Sequence, residues 1–388
     1  MRQWFIPALV ALLLLNGCSW IKSWGDSDDP DDPVDLVEFE PTLKVGKVWS
    51  TKVGDGLDKA GRQLRPVYSS GSIYAADYKG LLMAMDATTG NKLWEIKTKL
   101  PFTGGPGISD NLLLMGTQDG EVFAFDATTG TQRWSATVTS EVLAAPAEAD
   151  GVVVVRCIDG RVFGLDADTG QRIWIYDHNV PLLTLRGNAP LLLRAGVVFV
   201  GYDGGQVVAL KQNDGTLMWE QTLVTVEGRT ELERLSDIDG QLVFIASDLL
   251  VSSYKGRLAS LAADSGRLLW FKDVSSATGV SVARINLTLS DKEGHVWLLD
   301  RRNGAESWKH DQLLRRGLTR PVFYGSFIVV GDQDGYLHWI NIDDGQFAAR
   351  EKVGGKGFAG PPLVVGNTLY VMTKKGEVSA FQAGAALN

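Results

Sequence analysis

The chain has 388 residues, of which 45% are hydrophobic and 22% are charged, a composition that is ordinary for a soluble globular protein. The net charge of −8 arises mainly before residue 41; the remainder is nearly neutral and has no block of Lys or Arg, which argues against nucleic acid as a partner. The 44 glycines and 12 tryptophans indicate many short strands joined by tight turns.

Residues 1–17 form a predicted signal peptide. Arg2 supplies the positive charge, and the apolar run from Trp4 to Leu15 is too short to span a bilayer as a permanent helix. Residues 15–18, Leu-Asn-Gly-Cys, resemble the L-x-G-C lipobox of bacterial lipoproteins, in which the cysteine is acylated and becomes the first mature residue. We therefore expect a lipid anchor at Cys18; the alternative is an ordinary secretory peptide with an incidental cysteine.

Residues 18–40 are predicted to be the lipidated cysteine followed by an acidic, flexible tether. Positions 19–40 hold eight acidic residues against the single base Lys22, and such a segment buries too little surface to fold alone. As a flexible chain of roughly 20 residues it would span about 25 Å. Ser19 occupies the position where aspartate favours retention at the inner membrane, so the periplasmic face of the outer membrane is the expected location.

A repeated motif, A-x-D-x-x-T-G-x-x-x-W, fills the body of the chain, residues 41–388. Three close copies end at Trp94, Trp134 and Trp174, forty residues apart. Looser copies follow at intervals of 38 to 51 residues, with their glycine and final position at Gly215 and Trp219, Gly266 and Trp270, Gly304 and Trp308, and Gly345 and Ala349. Periods of this size are typical of four-stranded propeller blades.

Each copy predicts strands and turns in a fixed order. In the second copy, residues 122–125 are a strand, Asp126 bonds to nearby backbone amides, and Gly130 takes the positive φ of a tight turn. Trp134 begins the outermost strand, and we expect its ring to pack against the next blade. Asp119 and Gly120 mark the hairpin turn that precedes these strands.

Counting the copies predicts an all-β fold, an eight-bladed β-propeller of four-stranded antiparallel blades. Seven copies precede the stretch from Pro361 to Ala383, which supplies strands for an eighth blade. The orphan strand at residues 47–50 carries Trp49 in the repeated position, so we expect the N-terminal strand to close the last blade and remove both free edges. A seven-bladed ring is the competing count.

The motif is similar to the repeat of pyrroloquinoline-quinone dehydrogenase propellers over roughly residues 45–382, so a periplasmic dehydrogenase of that type or a ligand-binding propeller is one alternative. Those enzymes typically use an adjacent cysteine pair, a calcium ligand set and a catalytic aspartate, whereas Cys157 stands alone in an apolar run. The four histidines are scattered, and a structural role is favoured for His338 on its apparent strand. We therefore expect no catalytic residue, no cofactor and no metal.

The lipobox, the acidic tether and the eight-bladed propeller together resemble the BamB family of lipoproteins, subunits of the β-barrel assembly machinery. This resemblance implies a non-catalytic scaffold in the periplasm that aids the folding and insertion of outer-membrane β-barrels. Its implied partners are the POTRA domains of BamA and the other subunits of the complex. Unfolded outer-membrane proteins that add strands to the blade edges are a further, compatible hypothesis.

Two segments depart from the blade pattern and resemble loops of that family that meet the POTRA surface: residues 181–187, similar to its L-x-L-R-G segment, and residues 233–239, similar to its R-L-S-D-x-D segment. The resemblance implies partner-binding roles for five residues: Leu183, Leu185, Arg186, Asp237 and Asp239. Apolar residues beside one arginine are typical of an interface anchor, and carboxylates can orient that arginine. The alternative is that both leucines are core residues of an extra strand and that both aspartates cap a turn.

Overall fold

The structure of the protein is a computed structural model that describes residues 32–58, 63–181, 189–223, 236–254 and 256–386. Within these ranges the chain forms strands and turns. None of the described residues belongs to a helix long and apolar enough to cross a membrane. Cys18 lies outside the described residues.

The described strands form eight sheets, which we call blades 1–8. Two strands precede the first complete blade: β1 (Leu43–Lys52) and β2 (Gln63–Leu64). Blade 1 comprises β3 (Val67–Ser69), β4 (Ser72–Ala76), β5 (Leu81–Asp86) and β6 (Lys92–Lys97). Blade 2 comprises β7 (Phe102–Ser109), β8 (Leu112–Thr117), β9 (Glu121–Asp126) and β10 (Gln132–Thr137). Blade 3 comprises β11 (Ala147–Ala149), β12 (Val152–Arg156), β13 (Val162–Asp166) and β14 (Arg172–Tyr176).

The later blades follow the same order. Blade 4 comprises β15 (Leu192–Arg194), β16 (Val197–Gly201), β17 (Gln206–Lys211) and β18 (Leu217–Thr222). Blade 5 comprises β19 (Val243–Ile245), β20 (Asp248–Ser252), β21 (Leu258–Ala262) and β22 (Leu268–Lys272). Blade 6 comprises β23 (Val280–Ala283), β24 (Asn286–Ser290), β25 (Val296–Asp300) and β26 (Glu306–His310). Blade 7 comprises β27 (Val322–Tyr324), β28 (Phe327–Gly331), β29 (Tyr336–Asn341) and β30 (Phe347–Lys352), and blade 8 begins with β31 (Leu363–Val365), β32 (Thr368–Met372) and β33 (Glu377–Ala386).

Each blade is an antiparallel meander, and the first strands of successive blades contact one another around a central channel. In blade 8 the outermost strand is β1, which pairs antiparallel with β33 from Leu43 opposite Ala386 to Lys52 opposite Glu377. Strand β2 adds a short parallel pairing to β7. The predicted eight-bladed propeller, closed by the N-terminal strand, is confirmed, and the seven-bladed count is wrong.

The repeated Asp-x-x-Thr-Gly turn is capped by its aspartate. Oδ1 of Asp126 accepts hydrogen bonds from the backbone N–H groups of Thr128 (3.0 Å) and Thr129 (2.9 Å) and from the hydroxyl of Thr129 (3.1 Å). Gly130 closes the turn with a φ of 74°, a conformation that other residues adopt at a cost. The repeated aspartates are therefore turn caps, as predicted.

Each repeat tryptophan joins its blade to the next. Nε1 of Trp134 donates to the carbonyl oxygen of Ala167 over 2.8 Å, and a Cβ on Gly170 would lie only 2.5 Å from the indole ring. Glycine is therefore required both for the turn and for the seam between blades. Equivalent bonds run from Trp49, Trp94, Trp174, Trp219, Trp270 and Trp308 to the carbonyls of Ala87, Ala127, Gln212, Ala263, Arg301 and Ile342.

Blade 7 has Ala349 at the tryptophan position, and ring closure explains the exception. Because β1 arrives from the N-terminus, blade 8 has no turn between its third and fourth strands to accept an indole hydrogen bond. Trp339 pairs directly with Ala349 and is 1% exposed, so it fills this seam from the neighbouring strand. In blade 2 the pair is reversed, with Ala124 opposite Trp134.

The apolar core is divided among the seams between blades. The described residues contain eight buried clusters, and each joins two neighbouring blades. The cluster that contains Trp49, Ile73 and Tyr370 closes the ring between blades 8 and 1. Cys157 is a buried free thiol in the seam between blades 2 and 3, and burial raises its pKa.

Residues 32–42, which we call the strap, lie along the rim of blade 7. Arginine side chains of the propeller bind the strap backbone: Nη1 of Arg316 donates to the carbonyl oxygen of Val34 over 2.8 Å, and Nη1 of Arg350 donates to that of Val37 over 2.9 Å. The ring of Phe39 stacks on Phe347 with 5.2 Å between centroids. The last part of the predicted tether thus rests on the propeller, and residues 18–31 lie outside the described residues.

Candidate functional site

The connections between successive blades all emerge on one face of the ring, which we call the loop face. This follows from the meander, in which the connection out of the fourth strand and the turn between the second and third strands share a side. The two off-pattern segments are the connections from β14 to β15 and from β18 to β19, so they flank blade 4. Leu183, Leu185 and Arg186 lie outside the described residues, but the ends of both segments are described.

Those ends meet at one turn of blade 4, residues 203–205. Cγ of Pro181 lies 3.4 Å from the position that a Cβ would take on Gly204, and Oγ of Ser236 lies 3.0 Å from the corresponding position on Gly205. The distance at Gly204 is that of an ordinary contact, whereas a side chain on Gly205 would press on the second segment. Gly205 therefore lets the second segment approach the turn that Pro181 of the first segment also contacts.

Asp237 holds the end of the second segment against this turn. The backbone N of Gly204 donates to its Oδ1 over 3.0 Å, and the backbone N of Tyr254 donates to its carbonyl oxygen over 2.8 Å. The next residue, Ile238, donates its backbone N–H to the carbonyl oxygen of Tyr202 over 3.2 Å. Asp237 is only 1% exposed, so the structure places this predicted site residue beneath the loop face.

A cluster of four charged residues, Arg156, Asp203, Asp237 and Asp239, lies below the same turn. Nη2 of Arg156 is 3.6 Å from Oδ2 of Asp203, and both side chains are almost fully buried. Burial raises the pKa of Asp203 to about 6 against the opposing effect of Arg156. Burial and the charges of Asp203 and Asp237 raise the pKa of Asp239 to about 7. Because three carboxyl groups share one guanidinium, the cluster holds protons close to neutral pH.

Two members of this cluster are residues that sequence reasoning missed. For Arg156 a signal exists, because it directly follows the apolar run 152–155 in a strand expected to be buried. Its guanidinium lies 4.9 Å from the ring centre of Tyr202, whose hydroxyl donates to the carbonyl oxygen of Gly160 over 3.0 Å. Asp203 gives no comparable signal, since an Asp-Gly pair is equally typical of an exposed hairpin turn.

Potential metal ligands come together in one turn of blade 6. Among the described residues, ligand atoms of Asp291, Glu293 and His295 lie within 4.8 Å of one another. Oδ1 of Asp291 accepts three backbone N–H groups of its own turn, and its Oδ2 accepts Nδ1 of His295 (2.7 Å) and Nε1 of Trp297 (2.8 Å). Both carboxylate oxygens are therefore engaged in capping the turn.

His338 is fully buried in β29 and connects residues that hold the strap. Its Nε2 lies 3.1 Å from Oδ2 of Asp332, and Nε of Arg350 donates to its Nδ1 over 3.2 Å. Burial lowers the pKa of His338 although Asp332 opposes the shift, so the imidazole is neutral and Nδ1 can accept the bond. Arg316 also binds Asp332, over 2.9 Å from its Nε.

Comparison with known proteins identifies relatives over nearly the whole chain. The sequence model of a family described as "Outer membrane protein assembly factor BamB" matches residues 78–310. Curated proteins of that name are 47% identical in Pseudomonas aeruginosa, over 98% of this chain and 99% of the relative, and 42% identical in Xanthomonas campestris pv. campestris, over 97% of both. The crystal structure of BamB from Moraxella catarrhalis has a TM-score of 0.80 at 30% identity and covers 87% of this chain and 100% of that one.

Quinoprotein enzymes share the fold alone. The crystal structure of quinohemoprotein alcohol dehydrogenase from Comamonas testosteroni has a TM-score of 0.70 but only 14% identity, over 90% of this chain and 78% of that one. A common propeller does not imply a common activity. The identity of 42–47% to these assembly factors extends over nearly the whole chain. The chain therefore belongs to the BamB family of outer membrane protein assembly factors.

Proposed function

We propose that the protein is a non-catalytic scaffold subunit of the machinery that folds and inserts outer-membrane β-barrels. Its lipid anchor at Cys18 would hold it on the periplasmic face of the outer membrane. The observation that carries the proposal is the similarity, over almost the entire chain, to proteins named as outer membrane protein assembly factors. A subunit of this kind needs a rigid surface for its partners, and the loop face of the propeller is suited to that purpose.

The proposed partner surface is the loop face around blade 4, and the proposed partner is the POTRA region of BamA. Leu183, Leu185 and Arg186 would supply the apolar and cationic contacts. Asp237 and Asp239 would act as positioning residues from below, because Asp237 binds the backbone of the turn on which both segments converge. That convergence supports one continuous surface formed by the two segments.

Affinity purification from detergent-solubilised membranes tests the partner surface. We expect BamA to co-purify with the wild-type protein and to be lost from Arg186→Ala and Leu185→Ser, whose melting temperatures should match the wild type. Arg302→Ala is the matched control, because this exposed arginine lies in the turn between β25 and β26, on the opposite face. A variant that unfolds would assign its residue to the core, and BamA retained by both folded variants would refute the surface.

The anchor and the absence of catalysis have separate tests. Cys18→Ser should release the protein from the membrane fraction into the soluble periplasm, and a variant that stays membrane-bound would show that another element anchors the chain. For the enzyme alternative, the purified protein is titrated with pyrroloquinoline quinone and calcium. Tight, stoichiometric binding of the quinone would overturn the scaffold proposal.

A further inference from the structure

The central channel opens on the loop face through a ring of positions, one from each blade; seven of them lie two residues before the innermost strand of their blade, and that of blade 2 lies within β7. In blades 5, 6, 7 and 1 these positions carry the polar side chains of Gln241, Thr278, Arg320 and Arg65. Blade 8, within this arc, contributes Pro361, and the opposite arc is formed by Pro106, Ala145 and Pro190. The ring therefore has a cationic, hydrogen-bonding side and an apolar side.

Two neighbouring cavities, each of about 210 Å³, occupy this mouth of the channel. Arg65, Gln241, Arg320 and Pro361 line both of them. The cavities are smaller than the roughly 300–1,000 Å³ of pockets that bind drug-sized ligands, so each would suit a compact molecule.

Arg320 has donor capacity that the protein leaves unused. Its Nη1 donates to Oγ of Ser281 (2.8 Å) and to the carbonyl oxygen of Val280 (3.3 Å). Its Nε is buried without a hydrogen-bond partner, and Nη2 makes no hydrogen bond within the described part of the chain. Burial and the like charge of Arg65 lower the pKa of Arg320 to about 10, so it stays cationic at neutral pH. Burial likewise lowers the pKa of Arg65.

One carboxyl group, that of Asp239, also lines the cavity that contains Thr278. Its Oδ1 is buried without a hydrogen-bond partner, and its pKa of about 7 is set by burial and by the neighbouring charges of Asp203, Asp237 and Arg156. Within the described part of the chain Asp239 forms no ion pair with Arg320, and with a pKa of about 7 it is only partly ionised at neutral pH.

We propose that the mouth of the channel binds a small organic acid, with its carboxylate between Arg65 and Arg320 and its apolar part against Pro106, Ala145 and Pro190. A carboxylate accepts the paired N–H groups of guanidinium better than any neutral group, and the exchange of water for such charge-assisted bonds is favourable in a partly buried site. Gln241 provides a further donor on the same arc, whereas the hydroxyl of Thr278 already donates to Oγ of Ser290 over 3.1 Å, because Ser290 itself donates to the carbonyl oxygen of Thr319. Asp239 belongs both to the lining of this site and to the charged cluster beneath the partner surface around blade 4, but Arg65 and Arg320 belong to the channel site alone.

Isothermal titration of the full-length mature protein with three probes tests the proposal. Benzoate combines a carboxylate with an apolar ring, benzamide is its neutral analogue, and inorganic phosphate is an anion without an apolar part. We expect saturable binding of benzoate, at least about tenfold weaker binding of benzamide, and a similar loss of benzoate affinity in Arg320→Gln and Arg65→Gln. Arg302→Gln, which removes an exposed arginine remote from the channel, should bind benzoate like the wild type.

The titrations with benzoate, benzamide and phosphate decide whether the proposal holds. No saturable benzoate binding by the wild-type protein, or equal affinity in the folded arginine variants, would overturn the proposal. Phosphate that binds as tightly as benzoate would overturn the organic-acid assignment, because the apolar arc would then contribute nothing. If Arg320→Gln loses its fold together with the bonds to Ser281 and Val280, the comparison of benzoate with benzamide on the wild-type protein still decides between a carboxylate site and none.

Discussion

The indole Nε1 of Trp49 and the hydroxyl of Tyr370 donate hydrogen bonds, each of 3.0 Å, to the same carbonyl oxygen, that of Ala87. Trp49 belongs to β1, at the start of the folded chain, whereas Tyr370 belongs to β32, near its end. Ala87 lies in the turn after β5 in blade 1. A single acceptor in blade 1 thus binds both the N-terminal and the C-terminal parts of blade 8.

This shared acceptor predicts coupling between the two donors. Tyr370→Phe should cost about 1 kcal/mol of unfolding free energy, because the carbonyl keeps Trp49 as a partner. Trp49→Phe should cost about 1–2 kcal/mol more than that, because it also removes part of a buried ring from the seam. The double variant should exceed the sum by about another 1 kcal/mol, since the buried oxygen then has neither. Urea unfolding measures the coupling. Tyr324→Phe is the control partner for Trp49→Phe, because its hydroxyl binds the carbonyl of Asn367 instead and additive costs are expected. If the costs of Trp49→Phe and Tyr370→Phe simply add in the double variant, the two donors do not stabilise the same carbonyl oxygen.

The seam glycines predict a difference between two substitutions with the same backbone strain. Gly130 and Gly151 have φ angles of 74° and 79°, but a Cβ on Gly130 would lie 2.9 Å from the ring of Trp94, whereas one on Gly151 would meet open space. Gly151→Ala should cost about 1–2 kcal/mol from the left-handed conformation alone. Gly130→Ala should cost about 1–3 kcal/mol more, because the tryptophan must shift out of its seam. Equal unfolding free energies in the two variants would show that the seam tolerates the added carbon.

The acidic cluster predicts a pH dependence of stability. Asp203 and Asp239 have folded-state pKa values of about 6 and about 7, above the value near 3.9 expected in the unfolded chain. The folded state therefore holds more protons between these values, and its stability should fall as pH rises from about 4 to about 7 and then level off. Asp239→Asn should reduce this decline and raise stability at pH 8 by on the order of 2 kcal/mol.

Urea unfolding at several pH values between 5 and 8 measures this decline. The exposed turn residue Asp168 provides the control, because Asp168→Asn makes the same chemical change outside the buried cluster and should not reproduce the effect of Asp239→Asn. An Asp239→Asn profile that coincides with the wild type would mean that another group causes the pH dependence.

The contacts of the strap predict that Arg350 protects the backbone amides of the strap from hydrogen exchange. Arg350→Gln removes the bond to the carbonyl oxygen of Val37 and the bond to His338. Amide hydrogen exchange in residues 34–40 should accelerate by about tenfold, equivalent to about 1.4 kcal/mol, while exchange in blades 2–5 stays unchanged. The control is Arg302→Gln, whose arginine pairs with Asp300 on the opposite face. Unaltered exchange in the strap would show that the contact of Phe39 with Phe347 is sufficient to hold it.

Much of the fold could be predicted from the sequence because every blade repeats the same local chemistry. The Asp and Gly of the turn and the Trp of the rim recur in register, and the orphan Trp49 identifies the strand that closes the ring. The sequence alone does not explain why blade 7 has its tryptophan at Trp339, in the third strand, and alanine at Ala349, in the fourth. The reason, the missing turn in blade 8, depends on which strands become neighbours after closure.

Less of the candidate site than of the fold could be predicted from the sequence. The segments around Leu185 and Asp237 stand out because they break the repeat, but the burial of Asp237 does not follow from its position in a polar segment. The strap is similarly hidden, because its acidic composition indicates a solvated chain, whereas Leu36 and Phe39 pack on the seam between blades 6 and 7. The arginines that bind it lie some 280 and 310 residues further along the chain. Contacts between residues so far apart in the sequence form because the ring closes, and no local sequence pattern indicates them.

The pairing of β1 with β33 also sets an order of events during biogenesis. Residues 43–52 are among the first of the propeller to leave the ribosome, and their partner, residues 377–386, is the last. Until synthesis is complete, β1 has no strand to pair with, and the blades form an open arc with a free edge at either end. A chain interrupted before residue 363 could never leave that state. The ring can therefore close only after the whole propeller has been synthesised, and a truncated molecule would keep an unpaired first strand.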